Sequence, residues 1–123
     1  MDILLDSHFL VWTLLAPDRL SQREESALSA TKNTLFFSPV SVSELFLKES
    51  KKRLQLPERF TEAFADQGIR ELSFTNEHAE QLRHLPLIHS DPFDRLLAAQ
   101  AVHEGLTLMT RDRILRKYPL TIF

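Results

Sequence analysis

The chain has 123 residues, 43% of them hydrophobic and 26% charged, with a formal net charge of −2 and no cysteine. That length suits one domain over residues 1–123 around a single core. The missing thiols exclude disulfides and thiolate metal sites, so any metal must sit on oxygen or imidazole. No apolar run is long enough to span a bilayer, and Asp2 stands where a signal peptide needs a basic region, so a cytoplasmic protein without membrane contact is expected.

In chain order, Ile3-Leu4-Leu5 is a short apolar run ending at Asp6 and predicts a buried strand. Phe9 to Leu15 then form a buried helix halted by Pro17. Ser21-x-x-Glu24 is a capping box for a helix through about Thr31, and Leu35-Phe36-Phe37 predicts a second buried strand. A helix from Val42 to about Leu54 follows, then one between Pro57 and Gly68, and the alternation of Leu72 and Phe74 predicts a third strand. Asn76 to Leu85 reads as a helix stopped by Pro86, and Asp91-Pro92 opens another that Gly105 ends. Leu106, Leu108 and Met109 give a fourth strand, Arg111 to Lys117 a short basic turn or helix, and Leu120 to Phe123 a possible last strand. Strands separated by helices predict an α/β sandwich, three layers with a mostly parallel sheet of four to five strands.

Ligand sites of open parallel sheets lie beyond the carboxyl ends of the strands. Four acids map to that edge: Asp6 after the first strand, Glu44 and Asp94 in first helical turns, and Asp112 after the fourth strand. Each has a plain structural reading. Ser41-x-x-Glu44 is a capping box, Asp94 complements a helix dipole behind an Asp91 cap, Asp112 is a loop acid between two arginines, and only Asp6 lacks an obvious partner. Their common address is what coincidence must explain. Carboxylates forced together repel unless a hard cation neutralises them, which points to Mg²⁺ or Mn²⁺ and to hydrolysis of a phosphodiester by an activated water. The acidic net charge does not exclude RNA, because neutralising four acids reverses its sign.

Leu4-Leu5-Asp6-Ser7-His8, Ser41-Val42-Ser43-Glu44-Leu45, Asp91-Pro92-Phe93-Asp94-Arg95-Leu96-Leu97-Ala98-Ala99-Gln100-Ala101 and Gly105-Leu106-Thr107-Leu108-Met109-Thr110-Arg111-Asp112 together make the chain resemble the PIN-domain ribonucleases, and among them the VapC-like toxins of type II toxin-antitoxin pairs. The resemblance covers essentially the whole chain. It implies an endoribonuclease fold and activity, with Asp6, Glu44 and Asp94 as catalytic metal ligands and Asp112 as the fourth. It also implies that Ser7 and Thr110 hold carboxylates through their hydroxyls, that the protein forms homodimers, and that an antitoxin protein enters the cleft.

Lys48, Lys51, Lys52, Arg53, Arg111, Arg113, Arg116 and Lys117 are expected either to contact phosphates or to solvate helix faces, while Arg95 is expected to ion-pair with the acids and order them. His8 and His89 fall near the expected cleft, where capping or solvated roles are the ordinary ones. No His-Glu-x-x-His motif is present. The rival class is a non-catalytic PIN-like or receiver-like binding or signalling module. A receiver needs paired acids after its first strand and a lysine after its penultimate one, yet Ser7-His8 and Arg111 stand there; a haloacid-dehalogenase phosphatase needs an acid at His8.

Overall fold

The computed structural model describes all 123 residues. Its strands are β1 (Asp2–Leu5), β2 (Thr34–Phe37), β3 (Ile69–Glu71), β4 (Thr107–Met109) and β5 (Thr121–Ile122). The helices are α1 (Ser7–Leu15), α2 (Gln22–Ser29), α3 (Pro39–Ser50), α4 (Glu62–Asp66), α5 (Asn76–Gln81) and α6 (Pro92–Glu104), with single 3₁₀ stretches at Pro17–Arg19, Leu82–His84 and Arg113–Lys117. All pairings are parallel and the order is β3-β2-β1-β4-β5. The α/β sandwich expected from the sequence is therefore observed, with a sheet of five wholly parallel strands.

Parallel neighbours need crossovers, and the crossover helices cover both faces of the sheet. Successive strand residues point to opposite faces, so β1 feeds two cores. Ile3 and Leu5 pack with Phe9, Leu10, Phe37, Phe60 and Phe64 on one face. Leu4 packs with Leu97, Ala98, Ala101, Leu108 and Leu115 on the other. Being central and covered twice, β1 has no exposed residue after Asp2, which is why its sequence is a continuous apolar run.

Three local expectations need correction. Helix α3 begins at Pro39 rather than Val42, because Ser38 is the cap: its hydroxyl accepts the Val40 N–H at 3.1 Å and Pro39 suits the first helical position. Between Pro57 and Gly68 only Glu62–Asp66 is α-helical. The third strand runs over Ile69–Glu71, immediately after Gly68 turns the chain at φ 74°, rather than over Leu72 and Phe74. Leu72 continues the pairing by donating its N–H to the Phe37 carbonyl at 2.8 Å, then the chain leaves the sheet and delivers Leu72 and Phe74 to the second core. Their alternation reflected burial across a turn.

Candidate active site

The chain runs outward from β1 through β2 to β3, then returns to the other side of β1 for β4 and β5. Helices on the two sides of such a reversal diverge, leaving a crevice beyond the carboxyl ends of the two central strands. Asp6 follows β1, and its N–H donates to the Met109 carbonyl at 3.2 Å, which ties the end of β1 to that of β4. Thr110 and Asp112 follow β4. Helices α3 and α6 bring Glu44 and Asp94 to the same edge.

Asp6, Glu44 and Asp112 are each fixed by named donors. Asp6 is buried, and its Oδ1 caps α1 by accepting the Phe9 N–H at 3.0 Å. Glu44, also buried, lies in the second turn of α3 instead of the first; its Oε1 accepts from the Ser7 hydroxyl at 2.8 Å and its Oε2 pairs with Lys48 at 3.3 Å. The Ser41 capping box is therefore absent, and the Ser41 hydroxyl is buried without a partner. Asp91 caps α6, accepting from the N–H groups of Phe93 and Asp94 at 2.8 and 3.3 Å, which leaves the Asp94 side chain free of capping duty. Asp112 accepts from Ile114 N–H at 2.9 Å, while its own N–H donates to the Thr110 hydroxyl at 3.1 Å.

His89 joins these acids. Its Nε2 lies 2.7 Å from Asp112 Oδ2 and 3.2 Å from Asp94 Oδ2, its Nδ1 accepts the Asp91 N–H at 3.0 Å, and its backbone N–H donates to the Tyr118 hydroxyl at 2.8 Å. The candidate ligand atoms of His89, Asp94 and Asp112 all fall within 4.8 Å of one another.

The electrostatics show a shortage of positive charge. Burial pushes the Asp6 carboxyl up and Glu44 adds to it, against the Phe9 N–H, Thr110 and His8. Burial pushes Asp94 up to about 7, helped by Asp91, Glu44 and Asp112 and opposed by His89. Glu44 thus bears on both Asp6 and Asp94. Burial raises Asp112 too, but hydrogen bonds from His89 and Ile114 outweigh it and hold the group below the usual carboxylate range. Among lysines and arginines only Lys48 forms an ion pair with any of the four acids. Four closely set carboxylates with a single lysine paired among them fit a hard divalent cation.

Arg95 does not take the role expected of it: it makes no ion pair, and its Nε is buried without a partner. Arg111 is also unavailable to phosphate. Its guanidinium donates to Glu24 at 2.6 and 3.1 Å and to the Arg19 carbonyl at 2.8 Å, and it lies 4.4 Å from the centre of the Trp12 ring. A cavity of about 200 Å³ opens beside Ser7, lined by His8, Trp12, Lys48 and Arg53 among others. The role of His89 was not legible in sequence, since its burial depends on Tyr118 and its acid partner is Asp112, both remote along the chain.

A PIN-domain sequence profile matches residues 3–120. The chain belongs to the PIN-domain family. Over 98% of its length, and 98% of the relative's, this PIN domain is 30% identical to Ribonuclease VapC22 of Mycobacterium tuberculosis. Its fold is similar to that in the crystal structure of VapBC2 from Rickettsia felis bound to a DNA fragment from their promoter, with a TM-score of 0.74, 20% identity, and 100% of this chain and 98% of that one covered. A second similar fold is that of DNA-bound VapBC from Salmonella typhimurium, with a TM-score of 0.70, 19% identity, and 100% and 97% of the two chains covered. No helix of this PIN domain is long and apolar enough to cross a membrane.

Proposed function

We propose that this PIN domain is a metal-dependent endoribonuclease that hydrolyses RNA phosphodiesters, and that it is the toxin of a type II toxin-antitoxin pair. The observation that carries the reading is the carboxylate cluster at the β1/β4 reversal, whose charge Lys48 and His89 offset only in part, with Asp94 pushed up to about 7. A relative of matching length named as a ribonuclease supports the substrate class.

Asp6, Glu44, Asp94 and Asp112 would hold Mg²⁺ or Mn²⁺ in this reading. The ion, when bound, neutralises the acids and supplies an activated water for attack on phosphorus. Ser7 orients Glu44 by its hydroxyl hydrogen bond, and Thr110 steadies both Asp6 and the backbone of Asp112. Lys48 and Arg53, at the adjoining cavity, offer charge to the RNA backbone. An antitoxin protein and a second copy of the chain complete the proposal. Uncovered apolar side chains support such contacts, Leu87 at 85% exposure foremost, with Phe46 and Leu47 also exposed.

The test is cleavage of a mixed RNA substrate by the parent, Asp6→Asn and Asp94→Asn proteins in Mg²⁺ or Mn²⁺. The parent is expected to cleave and both variants to fall to background. Equal cleavage by parent and Asp94→Asn would refute the mechanism. A parent that binds its protein partner yet neither Mn²⁺ nor RNA would instead be a non-catalytic binding module.

A further inference from the structure

His89 lies among ligand-competent atoms, and three hydrogen bonds decide what it can do there. A ring nitrogen that accepts a hydrogen bond carries no proton, so in the neutral imidazole the other nitrogen must carry it. Nδ1 accepts the Asp91 N–H at 3.0 Å, which places the proton on Nε2. That N–H points at Asp112 Oδ2, 2.7 Å away, with Asp94 Oδ2 at 3.2 Å. A ligating nitrogen would have to be bare, which would shift the proton to Nδ1 and set it against the Asp91 N–H. The Asp91 N–H is itself held, because Asp91 is the N-cap of α6. The Tyr118 hydroxyl accepts the His89 backbone N–H at 2.8 Å from a buried position, and this contact fixes the ring's location from behind.

We propose that His89 is a positioning residue of the acid cluster: locked as the Nε2–H tautomer, it donates to Asp112, separates Asp112 from Asp94, and does not ligate the cation. The proposal rests on the metal-dependent reading above and assigns the site a residue beyond its acids. Its role follows from the two carboxylates: without a donor between them, Asp94 and Asp112 face each other across the point that His89 Nε2 now fills. Repulsion then turns Asp112 away from the geometry in which its other oxygen caps the Arg113–Lys117 turn. Loss of a donor that orients a metal-binding carboxylate typically weakens metal affinity by about 10–100-fold.

Two measurements test it. The first is ¹⁵N NMR of the His89 ring in the metal-free protein and in saturating Mg²⁺. A protonated Nε2 and a bare Nδ1 are expected in both, and a proton on Nδ1 in either state overturns the proposal. The second is Mn²⁺ titration, followed by calorimetry, of the parent, His89→Ala and His89→Gln proteins. Alanine is expected to weaken binding about 10–100-fold, and glutamine, whose amide N–H can donate to Asp112, to recover most of the loss. Mn²⁺ affinity in His89→Ala equal to the parent's, or glutamine no better than alanine, overturns it. If His89→Ala fails to fold, the glutamine variant and the parent spectra still decide the matter. A parent that binds no Mn²⁺ sinks the nuclease reading and the cation-positioning role with it, whereas the metal-free spectrum separately decides the tautomer.

Discussion

The capping acids of this site commit one oxygen to structure and leave the other for the proposed chemistry. Asp6 gives Oδ1 to the Phe9 N–H, and Asp112 gives Oδ1 to Ile114. A helix cap uses one oxygen and thereby aims the other, so capping and metal binding are compatible roles for one side chain. Asp94 is different because Asp91 does the capping, so its carboxylate accepts no backbone N–H and only His89 offsets its burial. Its folded pKa of about 7 lies above the ordinary 3.8, so the native state holds this proton more tightly than the unfolded chain does. Stability of the metal-free protein should therefore fall as pH rises from about 4 through 7 and level off above that, by the linkage of proton binding to folding. Asp6 contributes in the same direction, whereas Asp112, held below its ordinary value, contributes stability that is lost only as pH falls below the usual carboxylate range. Urea midpoints from pH 4.5 to 8, with chelator and then with Mn²⁺, check this. A downward slope is expected with chelator and a much flatter one with the ion, and a slope that Asp94→Asn leaves unchanged would assign it elsewhere.

At the scale of elements, the capping of α3 sets where Glu44 points. Both Ser38 and Ser41 are serines three or six residues ahead of Glu44, and the sequence pattern favours Ser41 because Ser-x-x-Glu is a capping box. Pro39 favours Ser38, since proline suits the first helical position, where its missing N–H costs no hydrogen bond, and Ser38 directly precedes it. The shift carries Glu44 from the first turn to the second, where Ser7 of α1 can reach it. Ser38→Ala should cost about 1 kcal/mol by losing the cap. Ser41→Ala should be neutral or slightly stabilising, because it removes a buried hydroxyl that has no partner. Denaturant midpoints of the two variants give the comparison, and a larger loss for Ser41→Ala would restore it as the cap. The third strand was misplaced for a related reason: Leu72 and Phe74 alternate as strand residues do, but strand pairing belongs to Ile69–Glu71 beside β2. Periodicity reports which side chains are buried, and burial beyond a strand end leaves the same mark as burial within it.

For the whole molecule, the strand order is the decisive fact. The reversal between β1 and β4 gathers acids from residues 6 to 112 at one crevice, with repulsion among them that Lys48 and His89 relieve in part and that a bound cation would relieve further. A ligand that binds only the native state stabilises it by mass action, by about 2.7 kcal/mol at a hundred times its dissociation constant, which for a domain of this length raises the melting midpoint by roughly 10 °C. Mn²⁺ should produce such a rise in the parent and chelator should reverse it, while the Asp6→Asn/Asp94→Asn double variant should melt alike with and without the ion in differential scanning calorimetry. A parent indifferent to Mn²⁺ would mean that the crevice holds no such ion. The sequence by itself determined the α/β alternation, the buried central strand and the acids at strand and helix ends, because apolar runs, proline and glycine stops and capping residues act over a few positions. Only the tertiary structure decided that β4 lies against β1, that Arg111 is tied to Glu24 and Arg95 pairs with no acid, and that His89 is the donor between Asp94 and Asp112. Those outcomes depend on groups remote in sequence, and no local pattern records which of them will meet.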